Sequence, residues 1–181
     1  MEDLTRVIRR GEINDIIRIS EALHEKNIAK IADQIVKSGK RIILIAGPSS
    51  AGKTSFAHRL STQLWVNAHK PLYLGTDDYF LNRADVPVGP DGAKDFESLD
   101  AVDVQLFNDH LNALLAGQEV DIPRFDFTTG EKVFGERIVR AGPEQPIVIE
   151  GIHGLNNYLT RHVPAEQKFK IYISPLTQLR I

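Results

Sequence analysis

An α/β fold of three layers is what this sequence predicts: a mostly parallel sheet, helices on both of its faces, and further helices ahead of it. Three observations carry the prediction. From Arg41 onward, short apolar runs alternate with segments of helical period. The runs at 42–46 and 147–149 are apolar throughout rather than at every second residue, as in strands buried on both faces. The connection after the first run, Gly47-Pro48-Ser49-Ser50-Ala51-Gly52-Lys53-Thr54, reads G-x-x-x-x-G-K-T and leads into a helical pattern.

The elements follow in order. Residues 12–37 place Ile13, Ile16, Ile17, Leu23, Ile28, Ile31, Ala32, Ile35 and Val36 at helical spacing, with a break expected near Asn27, a residue suited to capping a second helix. Ser38-Gly39-Lys40 stops the helix, with Gly39 available for a left-handed cap. Residues 1–40 are expected to form a helical linking segment and residues 41–181 the core. A strand at 42–46 precedes a helix at 52–66, whose Phe56, Ala57, Leu60 and Leu64 face inward. The single Trp65 is expected to pack against that helix. Further strands are predicted at 71–76, 147–149 and 168–173, a helix at 101–116 ended by Gly117, extended pieces at 119–123 and 132–140, and a short helix at 155–161.

The eight-residue loop is built for a polyphosphate. Its backbone N–H groups can turn inward around phosphate, the following helix presents its positive N-terminus, Lys53 reaches the β- and γ-phosphates, and the Thr54 hydroxyl serves Mg²⁺. Gly47, Ser49, Ser50, Ala51, Gly52, Lys53, Thr54 and Ser55 are therefore the expected nucleotide-binding residues, in a P-loop NTPase-type architecture. Ligands of such sheets sit beyond the carboxyl ends of the strands. Two other strand ends carry carboxylates there: Asp77-Asp78 after the second strand and Glu150 after the third. Mg²⁺ favours one or two carboxylates alongside phosphate oxygens, so Thr54, Asp77 and Glu150 form the expected metal set. Asp77 is also placed to orient an acceptor hydroxyl and take its proton. The alternative for Asp77-Asp78 is a turn or helix cap, which Asp favours, and Asp78 fits that alternative better. His153 fits packing or a backbone hydrogen bond, and His58 and His69 fit a helix surface or end.

Composition narrows the classes. A length of 181 residues suits one domain, and 42% hydrophobic with 25% charged residues is ordinary for a globular protein. A net charge of −2 offers no general attraction to nucleic acid or anionic membrane, and Arg6, Arg9 and Arg10 form only a small basic cluster. There are no cysteines, hence no disulfides and no thiolate chemistry. Neither an apolar stretch near membrane-spanning length nor a signal-peptide pattern is present, and a cytoplasmic setting is the expectation. The expected partners are ATP and a small-molecule alcohol, with no nucleic acid and no membrane, and with homo-oligomerisation left open.

Beyond single motifs, the chain resembles the uridine kinase/phosphoribulokinase family of P-loop kinases over about residues 41–175. The resemblance is carried by the loop 47–54, L-G-T-D-D-Y-F at 74–80, D-F-E-S-L-D-A-V-D at 95–103, I-P-R-F-D-F at 122–127 and I-V-I-E-G-I-H-G-L at 147–155. It implies ATP-dependent phosphoryl transfer to a nucleoside or sugar-phosphate hydroxyl, with ATP and Mg²⁺ as cofactors. It also implies that Lys53 and Thr54 serve ATP and Mg²⁺, that Asp77 is the catalytic base, and that Glu150 completes the metal site. Glu97, Phe125 and Tyr79 would be substrate-binding, with Glu97 at the ribose hydroxyls and Phe125 beside the base. Two departures bear on the acceptor: Glu97 replaces a shorter aspartate, and a uracil-reading histidine is matched here by about Gly130. The family continues into an arginine-rich lid beyond residue 181, so the chain is expected to be a truncated core with slow or no turnover by itself. The N-terminal helices, Leu155-Asn156-Asn157 and residues 175–179 resemble a longer bacterial uridine kinase-like branch.

Two other classes are open to the sequence. A nucleotide-binding regulatory module is the alternative, including a degenerate kinase that binds ATP without turnover. Against a GTPase, no N-K-x-D guanine-reading motif occurs, and against a motor ATPase the third strand ends in Glu150-Gly151. Nucleic-acid binding is disfavoured by the scattered basic residues.

Overall fold

The computed structural model describes residues 2–175, and the sequence positions 176–179 quoted above lie outside the described residues. Helix α1 spans Glu2–Arg9 and α2 spans Ile13–Ser38 without interruption. The break expected at Asn27 is absent, because Ile28, Ala32 and Ile35 on the same helix are almost fully buried. That burial far outweighs the small helix penalty of one exposed Asn. Gly39 closes α2 at φ +65°, its N–H donating to the Val36 carbonyl at 3.2 Å.

Four parallel strands form the main sheet: β1 (Ile42–Ala46), β2 (Leu72–Gly75), β7 (Ile147–Glu150) and β8 (Lys168–Tyr172), in spatial order β2-β7-β1-β8. All five residues of β1 and all four of β7 are buried, as continuous apolar runs require of strands covered on both faces. Helix α3 (Lys53–Val66) and the second half of α2 cover one face, with Ile28, Ile35, Ile43, Ile45, Leu60 and Leu64 between them. Helix α4 (Val104–Leu115) covers the other face, where Ile42, Leu44, Phe107, Leu111, Leu114 and Ile149 meet. The C-terminal half of α2 is thus part of the core.

Between α4 and β7 the chain makes a bent ribbon of two antiparallel pairs. β3 (Glu119–Asp121) pairs β6 (Ile138–Arg140), and β4 (Arg124–Asp126) pairs β5 (Glu131–Val133). The extended piece expected at 132–140 is therefore two strands, split by the turn at Gly135 (φ +88°). α4 begins three residues later than residue 101: Leu99–Ala101 is a 3₁₀ turn, and Asp103 caps α4 by accepting from the Leu106 N–H at 3.0 Å. The helix expected at 155–161 is a series of turns, since Asn156 accepts from the Tyr158 N–H at 3.0 Å and competes with helical bonding. Trp65 does not pack inward but is 60% exposed under the Lys70 ammonium, 4.7 Å from its ring centre. Among the described residues, no helix is long and apolar enough to cross a membrane.

If the second half of α2 is core, Ile28→Ala should destabilise by about 2–5 kcal/mol. Ile19→Ala, at a 67% exposed position of the same helix, should stay within about 0.5 kcal/mol of the parent. Urea unfolding of the two variants checks both values.

Candidate active site

β7 inserted between β1 and β2 brings three strand ends side by side. Ile45 lies opposite Glu150 on one side of β7, and Gly75 lies opposite Glu150 on the other. The loops that leave β1, β2 and β7 therefore open on one edge, with β1 as the strand where chain order reverses.

The loop after β1 turns tightly. At Gly47 a side chain is excluded, because a Cβ would sit 2.2 Å from the Ile173 carbonyl oxygen beyond β8. Ser50 (φ +58°) and Gly52 (φ +85°) are both left-handed, an unusual state for serine that is retained where the surroundings over-determine it. Among the described residues, the N–H groups of Ser49, Ser50, Gly52, Lys53, Thr54 and Ser55 donate to no protein acceptor, while the Ala51 N–H donates to the Pro48 carbonyl at 3.2 Å. A ring of unpaired donors at a helix N-terminus suits a polyphosphate. The Lys53 ammonium donates to the Pro48 carbonyl at 2.9 Å, across the loop.

Glu150 lies at the centre of the edge, buried, and accepts two hydroxyl donors on one oxygen. Thr54 Oγ1 donates to Glu150 Oε1 at 3.0 Å, and the Tyr73 hydroxyl donates to the same atom at 2.9 Å. The hydroxyl and carboxylate expected to hold a divalent cation are thus in contact, and as hard oxygen donors they suit Mg²⁺. Next to Glu150, Gly151 has no room for a side chain: a Cβ would lie 1.8 Å from Thr76 Oγ1. The close approach draws the turn after β2 against β7.

That turn, Thr76–Tyr79, carries Asp77 outward to the mouth, where its side chain reaches solvent. Partial burial raises the Asp77 carboxyl above its ordinary value of 3.8; Glu150 and Asp78 push the same way, while Lys53 and His153 oppose them. Asp78 turns inward and ties the ribbon to the sheet. It accepts from the Phe125 N–H at 3.4 Å and lies 3.9 Å from the Arg137 guanidinium. This agrees with a structural rather than catalytic Asp78.

Glu97 and Phe125 reach the same neighbourhood by different routes. The Glu97 carbonyl pairs with His153 Nε2 at 2.9 Å, which holds its exposed loop against the segment after β7 and bears out the backbone hydrogen bond expected of His153. Phe125 is half-buried and meets Phe80 and Phe127 edge-on, at ring-centre distances of 5.6 and 5.1 Å. Tyr79 is a correction. Its side chain is fully buried against Phe107 and pairs through its hydroxyl with His110 Nδ1 at 3.2 Å, so it faces the core under α4 and not the mouth. The tight turn that exposes Asp77 rotates the residue two places on to the opposite side.

Sequence reasoning missed Tyr73 and Arg137. Tyr73 holds Glu150 and stacks on His58 at 5.0 Å, while Arg137 donates to the Tyr73 carbonyl. A tyrosine within a short strand that ends in Gly-Thr-Asp was the available signal for the first; nothing local marked Arg137.

The sequence matches the model of the phosphoribulokinase/uridine kinase family over residues 42–181. The chain belongs to that family. A uridine kinase of Chloroflexus aurantiacus is 34% identical over 111 residues, which is 61% of this chain and 51% of that protein. One of Lactobacillus helveticus is 29% identical over 140 residues, 77% of this chain and 63% of that protein. The chain therefore spans about half to two thirds of the length of these curated relatives. Among solved structures, a protein described as a possible uridine kinase from Bacillus stearothermophilus superposes with a TM-score of 0.66 at 24% identity, over 81% of this chain and 79% of that one. D-glycerate 3-kinase from Cryptococcus neoformans gives 0.52 at 15%, over 70% and 52%. Both likenesses show the P-loop kinase fold. In this family member, the strand order and the site edge arise from the same insertion of β7.

A proton bound more tightly by folded than by unfolded Asp77 makes a stabilising contribution that is complete below pH 3.8. The contribution is lost as pH rises through the raised folded value. A carbon-13 titration should find Asp77 above 3.8, shifted down in Glu150→Gln and further up in Lys53→Ala. An Asp77 value indifferent to both changes would contradict the electrostatic coupling.

Proposed function

We propose that the protein transfers the terminal phosphoryl group of ATP to a hydroxyl of a small molecule, and that the acceptor is a nucleoside. The observation that carries the reading is the Thr54–Glu150 contact between β1's loop and β7, with Asp77 emerging from the adjacent strand end. In this reading the donor ring of residues 49–55 binds the phosphates, with Lys53 on the terminal pair. Thr54 and Glu150 would hold Mg²⁺, which when bound neutralises charge on the phosphate oxygens. Asp77 orients the acceptor hydroxyl and takes its proton as that oxygen bonds to phosphorus and ADP departs with the other electron pair. A raised carboxyl value makes Asp77 a better proton acceptor than an ordinary aspartate.

For the acceptor, the edge-on cluster of Phe80, Phe125 and Phe127 offers aromatic rings beside Asp78 against which a planar base can pack. Glu97, on the loop pinned by His153, supplies a carboxylate for sugar hydroxyls. The uridine kinases among its relatives favour a nucleoside over a sugar phosphate.

Asp77→Asn should lower turnover by about 10²- to 10⁴-fold while ATP affinity, read by calorimetry, stays within about twofold. Steady-state assays across a nucleoside and sugar-phosphate panel read the acceptor class. Undiminished turnover in Asp77→Asn would remove Asp77 as the base, and transfer to sugar phosphates alone would remove the nucleoside.

A further inference from the structure

Thr54, His58, Tyr73 and Glu150 meet on the α3 side of the sheet, and the chemistry proposed above uses only the first and the last. Tyr73 lies opposite Val148 and packs with it on that side, and Glu150 follows on the same face two residues further along β7. The Tyr73 ring stacks on His58, with centres 5.0 Å apart and planes 25° from parallel. Its backbone is held as well, the carbonyl accepting from Arg137. Gly75 comes next on the same face of β2 and puts no side chain in the way: a Cβ there would stand 3.9 Å from the Tyr73 oxygen. The ring reaches past it and delivers its hydroxyl to Glu150 Oε1 at 2.9 Å.

We propose that Tyr73 is a positioning residue of the divalent-cation site, fixing Oε1 of Glu150 so that Oε2 is presented to the ion. The inference rests on the Thr54–Glu150 metal reading above and adds to it a residue that acts only through Glu150. The terminal torsion of a glutamate is broad and two-fold, so a carboxylate held by Thr54 alone could turn. A second donor on the same oxygen removes that freedom. Tyr73 suits the task because its own ring is clamped, and because a phenol, with a pKa of about 10, donates throughout the neutral range. Both donors converge on Oε1, while Oε2 accepts from no protein donor among the described residues and is not sealed from solvent. A free carboxylate oxygen of this kind is what a hard cation takes. The Thr54 hydroxyl gives its one proton to Oε1 and keeps lone pairs for the same ion. The rival account makes the Tyr73 bond purely structural, with Glu150 satisfying a half-buried phenol. The two accounts differ in what loss of the hydroxyl does to nucleotide with and without metal.

Tyr73→Phe keeps the ring and its stacking and removes only the hydroxyl. Calorimetry on the purified protein compares ATP with Mg²⁺ and ATP in EDTA, for the parent, Tyr73→Phe, Glu150→Gln and the double variant. Tyr73→Phe should weaken MgATP about tenfold and leave metal-free ATP within about twofold, since partners that orient a metal ligand typically account for about 10- to 100-fold in metal affinity. In the Glu150→Gln background the same change should weaken MgATP no further, because the residue it acts through is gone. Equal loss of both ligands in Tyr73→Phe would overturn the inference by showing that the hydroxyl supports the loop and not the ion. Unchanged or tighter MgATP binding would also overturn it, as would a second tenfold loss in the double variant. If instead the parent binds MgATP no better than metal-free ATP, or Glu150→Gln leaves MgATP untouched, the metal reading itself fails and takes the role of Tyr73 with it.

Discussion

Glu150 is a buried carboxylate at the end of a strand covered on both faces, and such a group is costly unless its oxygens are satisfied. Two hydroxyls meet that demand on one oxygen, Thr54 from the start of α3 and Tyr73 from β2. Those two bonds bind together the three elements whose ends form the edge. They hold the helix start against β7, fix the register of β2 beside it, and leave the second carboxylate oxygen without a protein donor among the described residues. Together with the strand pairing and the Gly151–Thr76 approach, this tie holds the donor loop and the Asp77 turn in one geometry.

Around that tie the charges are graded. Asp78 is drawn into the ribbon by the Phe125 N–H and Arg137, while Asp77 points out toward Lys53 and His153. Adjacent aspartates on a single 3₁₀ turn thus take different surroundings: one ties the ribbon to the sheet, the other stays exposed at the strand-end edge. The Gly151–Thr76 approach makes this separation dependable, since it presses the turn against β7 with no side chain between them.

Much of the fold was legible in sequence because the informative segments are strongly constrained. β1 and β7 are buried on both faces and allow little except aliphatic residues, and the loop between β1 and α3 must be glycine where Ile173 crowds it. The strand-end positions of Asp77, Glu150, Lys53 and Thr54 could be read for the same reason: each sits at a fixed offset from a readable strand. The ribbon was less legible. Its strands are three residues long, mostly half-exposed, and held by pairs such as Lys132–Asp103 and Arg124–Glu136 that no local period announces. Tyr79 was misread because a motif gives position along the chain and not rotation about it. Trp65 was misread because helical spacing alone does not reveal which flank a neighbouring helix covers.

The contact between Arg137 and the Tyr73 carbonyl lies on the outer side of β2. Among the described residues β2 has a single sheet neighbour, and its outer side offers backbone acceptors of the kind on which a foreign strand can dock. With a charged side chain just before β6, the ribbon caps one of those acceptors. The ribbon beside the site edge thereby leaves that stretch of β2 less open to pairing with a foreign strand.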